Sequence, residues 1–69
     1  MKKKFNVGDD VTFTLVDKEV TGVIVEERGP LGLHGQMVYR VAVPILYADE
    51  PAYYELEESS IEPAHLVAH

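Results

Sequence analysis

Strict alternation of apolar and polar residues, with no sustained helical period, is the feature that most constrains this fold. In the segment 11–15, Val11, Phe13 and Leu15 share one face and two threonines share the other. Successive side chains of a β-strand point to opposite faces, so this segment is predicted to be a half-buried strand. The polar break Asp17-Lys18-Glu19 follows directly and predicts a tight hairpin.

Three more segments are predicted to be strands. Segment 20–27 is apolar on both faces at its centre, which is typical of a strand shared between two packed sheets, and Gly22 is a point where it can bend. Segment 37–43 places Tyr39, Val41 and Val43 on one face. Segment 52–57 alternates again, with Tyr54 and Leu56 on one face and Tyr53, Glu55 and Glu57 on the other.

The connections and the C-terminal segment complete the predicted architecture. Segment 28–36 holds three glycines and a proline and predicts a long loop, and segment 45–51 is a second loop between prolines. Residues 58–61 are expected to form one serine-capped helical turn that ends at Pro63, and residues 64–67 a closing strand. The prediction is an all-β, five-stranded small barrel with one short helical turn before the last strand, because closing the sheet removes exposed edges.

Length and charge narrow the class of protein. The 69 residues predict one domain spanning residues 1–69 with a thin core, residues 1–4 being expected to be disordered. The chain has no cysteine, no apolar run long enough for a membrane helix and no apolar stretch after its three N-terminal lysines. We therefore expect a cytoplasmic protein that does not enter a membrane. The net charge of −6 predicts no nucleic-acid binding at physiological salt, since such binding depends on basic residues that neutralise phosphates.

The order of these segments resembles the SH3-like small β-barrel superfamily, including its KOW-like and Tudor-like branches. Four stretches carry the resemblance, which runs from about residue 5 to residue 67: Val7-Gly8-Asp9 leading into Val11, Gly22-Val23-Ile24, Tyr39-Arg40-Val41, and Ser60-Ile61-Glu62-Pro63-Ala64. The resemblance implies a barrel that binds peptides, nucleic acids, modified side chains or partner subunits, so it does not fix one function. The chain lacks the basic loops of the nucleic-acid-binding branches.

The sequence predicts no catalytic residue, no metal site and no cofactor. Ser59, Ser60, Glu62 and His65 supply the residue types of a hydrolytic triad, but they are crowded into one segment that is better explained as a turn and a strand. His65 and His69 have the spacing of metal ligands only on a helix, which Pro63 disfavours. The glycine-rich loop lacks the lysine and the following helix of a phosphate-binding loop.

Large apolar side chains in the two loops are the candidate binding residues. Either they fold back and plug the ends of the barrel, or they form an exposed patch that contacts a partner. Tyr47, Tyr53 and Tyr54, which lie among carboxylates, could alternatively form a cage for a cation. The candidate partner-binding residues are Leu31, Leu33, His34, Ile45, Leu46, Tyr47 and Tyr53.

These patterns favour a non-enzymatic protein-interaction module, acting as a small accessory subunit or adaptor. Its partner would be a protein, a peptide or a second copy of the chain in a homodimer. The alternative is a nucleic-acid-associated KOW-like barrel that uses Lys2, Lys3, Lys4, Arg28 and Arg40.

Overall fold

A computed structural model describes residues 4–64 of the chain. These residues form one antiparallel sheet of five strands and two short 3-10 turns, Leu33–Gly35 and Glu58–Ser60. The strands are β1 (Asp10–Leu15), β2 (Lys18–Gly29), β3 (Val38–Val43), β4 (Ala52–Glu57) and β5 (Glu62–Pro63). The predicted all-β class, with five strands and a helical turn before the last one, is confirmed.

The long strand β2 holds the sheet together. The strand order is β4-β3-β2-β1-β5, and Val23 of β2 lies opposite both Asp10 of β1 and Ala42 of β3. Between Ile24 and Gly29 the pairing with β3 shifts register twice, and such bulges bend a strand and increase its twist. A sheet that coils in this way is consistent with a small barrel.

The core lies on the inner face of this sheet and follows the predicted alternation. Val11 and Phe13 of β1 and Tyr39 and Val41 of β3 are buried, and Leu15, Val43, Tyr54 and Leu56 pack around them. The Phe13 and Tyr54 ring centroids are 5.6 Å apart. The completed core cluster consists of Phe5, Val11, Phe13, Ile24, Tyr39, Val41 and Ile61.

The centre of β2 is apolar on both faces, but only one of these faces is buried. Ile24 is fully buried, but Val23 and Val25 on its two sides are exposed. The described residues form a single sheet, so no second layer covers its outer face. β2 is also longer than the predicted segment 20–27, because Lys18 and Glu19 pair with β1.

The last strand begins earlier than predicted. Glu62 and Pro63 pair with β1, whereas residues 65–67 of the predicted strand 64–67 lie outside the described residues. The N–H of Ala64 donates to the Asp10 carbonyl (3.0 Å), and hydrogen-bonded pairs alternate along antiparallel strands. The nitrogen of Pro63 therefore faces away from β1, so proline is accepted at this edge without losing a sheet hydrogen bond.

Tyr39 connects the N-terminal segment to the end of β4. Its ring is fully buried and lies edge-on to Phe5, with centroids 5.6 Å apart. Its hydroxyl accepts from the Phe5 N–H (3.2 Å) and donates to the Glu58 carboxylate (3.3 Å), which also accepts from the Lys4 N–H (2.9 Å). Burial raises the pKa of Tyr39 above its ordinary value; the Phe5 N–H opposes this shift and the Glu58 charge adds to it.

The hairpin between β1 and β2 has an unusual turn. Its two central residues, Val16 (φ 47°) and Asp17 (φ 67°), both have left-handed backbone conformations, as a type I′ turn requires. Such turns favour Asn-Gly, because a β-branched residue at positive φ is strained. The Val16 side chain is 87 % exposed, so no packing in the described residues compensates for this strain.

Replacing the strained turn residues should stabilise the protein. We expect Val16→Asn/Asp17→Gly to raise the free energy of unfolding by about 1–2 kcal/mol, since it relieves a left-handed conformation at a side chain that makes no core contact. Urea unfolding measures this change. As a control, Thr14→Asn at an exposed strand position should be neutral or destabilising. An equal gain in both variants would contradict the turn assignment.

Tyr39 should make the protein sensitive to alkaline pH. Because its pKa is higher in the folded chain than in the unfolded chain, its contribution to stability is fully present below about pH 10 and is lost as the pH rises through the folded value. Tyr39→Phe should cost about 1–3 kcal/mol at neutral pH, because the Phe5 N–H loses its acceptor. Above pH 10 its stability should fall less steeply than that of the wild type.

Tyr47→Phe is the matched control, because that side chain is almost fully exposed and its loss should change stability by less than about 0.5 kcal/mol. Urea unfolding at a series of pH values measures both variants. Parallel pH profiles for Tyr39→Phe and Tyr47→Phe would contradict the prediction.

Candidate interaction surface

The loop between β2 and β3 carries Leu31, Leu33 and His34 on its surface. The Glu57 carboxylate accepts a hydrogen bond from the Leu33 N–H, and the Gln36 side chain accepts one from the Ser59 N–H (2.9 Å). Leu31 and Leu33 nevertheless remain 72 % and 66 % exposed. The backbone of this loop is therefore fastened to the end of β4 while its leucines face outward.

The loop between β3 and β4 presents a second apolar group. The N–H of Ala48 donates to the Ile45 carbonyl (3.1 Å), which closes a turn with Leu46 and Tyr47 at its centre. Leu46 is 79 % exposed and Tyr47 is 99 % exposed, and Tyr47 has a left-handed backbone with φ 67°. A bulky residue in this conformation is uncommon, and no contact of its own side chain explains it here.

These positions decide between the two interpretations of the loop residues. The large apolar side chains of both loops are exposed rather than inserted into the barrel, so the expectation that some of them act as plugs is wrong. Phe5, Met37, Leu56 and Ile61 belong to the core cluster or pack against it instead. Phe5 was missed as a core residue because it precedes the first strand and belongs to no alternating segment.

The two loops do not form one patch. One precedes β3 and the other follows it, so they lie at opposite ends of a six-residue strand. Such a strand is about 17 Å long. Leu31, Leu33 and His34 therefore form one group, the β2–β3 loop group, and Ile45, Leu46 and Tyr47 form another, the β3–β4 loop group.

Tyr53 lies on the outer face of the sheet, where it continues a row of side chains across three strands. Tyr53 lies opposite Ala42, and Ala42 lies opposite Val23. Directly opposed side chains on one face are in contact distance, so these residues form an outer apolar row, with exposed Val25 in the neighbouring bulge. The apolar run Val23-Ile24-Val25 was the sequence signal for this row, but it was explained by a strand shared between two packed sheets.

The tyrosines do not converge on one cation cage. Tyr54 faces the core and packs on Phe13, whereas Tyr53 points to the opposite side of the sheet. The guanidinium of Arg40 already lies 4.5 Å from the Tyr53 ring centroid, in the geometry of a cation–π contact.

The outer face also carries a short row of charges. Arg28 lies 3.1 Å from the Glu26 carboxylate and 3.6 Å from that of Glu55, and Arg40 lies 3.9 Å from Glu55. Half-exposed pairs of this kind contribute little to stability. They do neutralise two of the cations that a nucleic-acid-binding surface would need, and Lys2 and Lys3 lie outside the described residues.

The residue types considered for chemistry are not assembled into a centre. Ser60 and Glu62 line a shallow cleft with Thr12, Phe13, Thr14 and Glu19, and this lining holds no histidine. His65 and His69 lie outside the described residues. Within residues 4–64, no three His, Cys, Asp or Glu side chains are grouped as metal ligands, and no helix is long and apolar enough to cross a membrane.

No family model, curated protein or solved structure matches this chain.

Charge should keep the protein off nucleic acids. With a net charge of −6 and with Arg28 and Arg40 beside carboxylates, duplex DNA or RNA should bind no more tightly than about 10⁻⁴ M at physiological salt. Electrophoretic mobility shifts measure this affinity. A micromolar shift that disappears in Lys2/Lys3/Lys4→Ala would contradict the prediction and favour the nucleic-acid-associated alternative.

Proposed function

We propose that this chain is a non-enzymatic protein-interaction module that acts as an adaptor or accessory subunit. The observation that carries the proposal is the exposure of large apolar side chains in both loop groups, with Tyr47 almost fully in water. Exposed apolar patches on small proteins usually mark contact sites, and tyrosine is enriched at protein interfaces. Membership of the SH3-like barrel superfamily is part of the proposal, supported by the 3-10 turn directly before the β5 strand that pairs with β1.

The state of the loops supports recognition of a protein surface. Two hydrogen bonds fix the loop that carries Leu31 and Leu33. The Glu57 carboxylate accepts from the Leu33 N–H, and the Gln36 side chain accepts from the Ser59 N–H. A partner therefore meets leucines that are already positioned, and the entropy cost of ordering the loop on binding is small. Because the two loop groups lie at opposite ends of β3, each can be tested separately.

Two double variants test the proposal, Leu31/Leu33→Ser and Leu46/Tyr47→Ser. Each should melt within a few degrees of the wild type, since the removed side chains lie outside the core. Self-association is measured by sedimentation velocity, and partner capture by quantitative mass spectrometry after cross-linking in lysate from the native organism. At least one variant should weaken an association about tenfold or more.

Val7/Val16→Ser is the matched control, because it removes two exposed apolar side chains outside both loops. Its associations should equal those of the wild type. Equal losses in all three variants, or associations that survive both loop variants, would overturn the proposal that these loops are the contact sites.

A further inference from the structure

The two edges of the sheet differ in their ability to accept another strand. β5 is two residues long and contains Pro63, which has no N–H to offer. β4 is six residues long, pairs with β3 without a register shift, and contains no proline or lysine. Natural proteins usually protect an edge strand by shortening it, by bending it with a bulge, or by placing proline or charged residues, especially lysine, on it. Of these two edges, β4 is the less protected, because it is long, in regular register and free of proline, and its charged residues, Glu55 and Glu57, have one sign.

The alternation of hydrogen bonds identifies the main-chain groups at the free edge of β4. The N–H of Glu58 donates to the Met37 carbonyl (2.9 Å), which makes that opposed pair a hydrogen-bonded one. Such pairs alternate along antiparallel strands, so Ala52, Tyr54 and Leu56 bond to β3. The N–H and C=O groups of Tyr53, Glu55 and Glu57 therefore point away from β3. Among residues 4–64, no strand pairs with this side of β4.

Charge indicates what could pair there. Two carboxylates, Glu55 and Glu57, alternate along the outer side of β4; Glu55 already lies near Arg28 and Arg40, whereas Glu57 has no cation among its described contacts. Opposite charges directly across a strand pair are stabilising and like charges are destabilising. An incoming strand with lysine or arginine at every second position fits this side. On the inner side, half-buried Tyr54 and Leu56 favour apolar residues at the positions between.

A second copy of the chain fits poorly at this edge. If two β4 strands paired antiparallel with residues 53–57 overlapping, so that their outward main-chain groups met, Glu55 would lie opposite Glu55 of the other copy, with like charges in contact. If β4 paired with β5 of another copy, the added strand would supply acidic Glu62 and a proline. Both arrangements bring a further carboxylate to a strand that already carries Glu55 and Glu57.

We infer that the free edge of β4 binds an extended peptide segment with alternating basic and apolar residues, which adds as a sixth strand beside Tyr53, Glu55 and Glu57. Main-chain hydrogen bonds provide the attachment, and the outer carboxylates select the basic residues. The inference rests on the proposed interaction function and assigns it a partner chemistry and a site separate from the loops.

The probe is the peptide acetyl-Lys-Val-Lys-Val-Lys-Val-amide, followed by NMR at low salt. Binding should slow amide hydrogen exchange at Tyr53, Glu55 and Glu57 by about tenfold or more at saturation, with little change at Tyr54 and Leu56, which already bond to β3. Raising the salt should weaken binding, because the charge pairs are exposed. The corresponding Glu-Val peptide should not bind.

Backbone methylation of the probe provides the matched control. In an antiparallel added strand, the lysines that lie opposite Glu55 and Glu57 turn their N–H groups toward β4, so N-methylation of the lysine amides should abolish binding. N-methylation of the valine amides, which point away, should leave binding intact. In the protein, Glu55→Gln should weaken binding about two- to fivefold, whereas Glu19→Gln, at the far end of β2, should not.

The outcomes separate this inference from the proposed function. No binding, equal loss with both methylated peptides, or peptide-induced shifts confined to residues 44–51 would overturn strand addition at β4. None of these results depends on the self-association and partner-capture measurements that test the loops. Loss of peptide binding in Leu46/Tyr47→Ser, with the exchange pattern of β4 unchanged, would likewise place the peptide on the loop and overturn the inference.

Discussion

The close approach of β2 to β3 at Gly22 is the constraint on which the rest of the sheet depends. A Cβ atom at this position would lie 2.6 Å from the Ala42 carbonyl oxygen and 2.7 Å from the Val41 side chain. Real Cβ atoms do not approach a backbone oxygen so closely, so only glycine permits this packing. β2 pairs with β1 up to Val23 and with β3 from Val23 onward, so Gly22 lies where one strand passes from its first neighbour to its second.

The same geometry explains why so small a core suffices. Tyr39 is the largest fully buried side chain among the described residues, and its hydroxyl still reaches two partners. A buried tyrosine needs such partners, since an unpaired hydroxyl in the interior is costly. The connection through Phe5 and Glu58 also fastens the N-terminal segment to the sheet. Closure at this end thus depends on a side-chain network as well as on strand pairing.

The alternation of apolar and polar residues predicted where the strands lie. The exact ends of β2 and β5 depend on pairing with other strands, which the local pattern does not contain. Segment 52–57 has the predicted bounds, because both of its faces have clear and opposite polarity. The start of β2 was missed because Lys18 and Glu19 are polar, although they belong to a hairpin that a two-residue turn closes. The start of β5 was predicted too late because Pro63 was interpreted as the end of a helical turn. Only the alternation of hydrogen bonds between β5 and β1 shows that the Pro63 nitrogen faces away from β1.

The candidate interaction surface was likewise predictable only in part. Sequence composition identified the apolar loop residues, because glycine and proline mark the loops and large apolar side chains are conspicuous there. Composition could not tell whether these side chains turn inward, since that depends on which other residues occupy the core, among them Phe5, Met37 and Ile61. The outer row of Val23, Ala42 and Tyr53 arises only from the register between strands.

Strand position also determines which surfaces of this domain can bind. β2 and β3 have neighbours on both sides, so they offer a partner only their outward side chains. β4 offers outward side chains together with main-chain groups that no strand within residues 4–64 pairs with, and those side chains are an aromatic ring and two carboxylates. Arg40 covers the Tyr53 ring and approaches Glu55, so a second cation at Glu55 would compete with an existing contact, whereas Glu57 has no cation among its described contacts. Charge selection at the edge should therefore be stronger toward the Glu57 end of β4, which is also the end nearest Leu31 and Leu33.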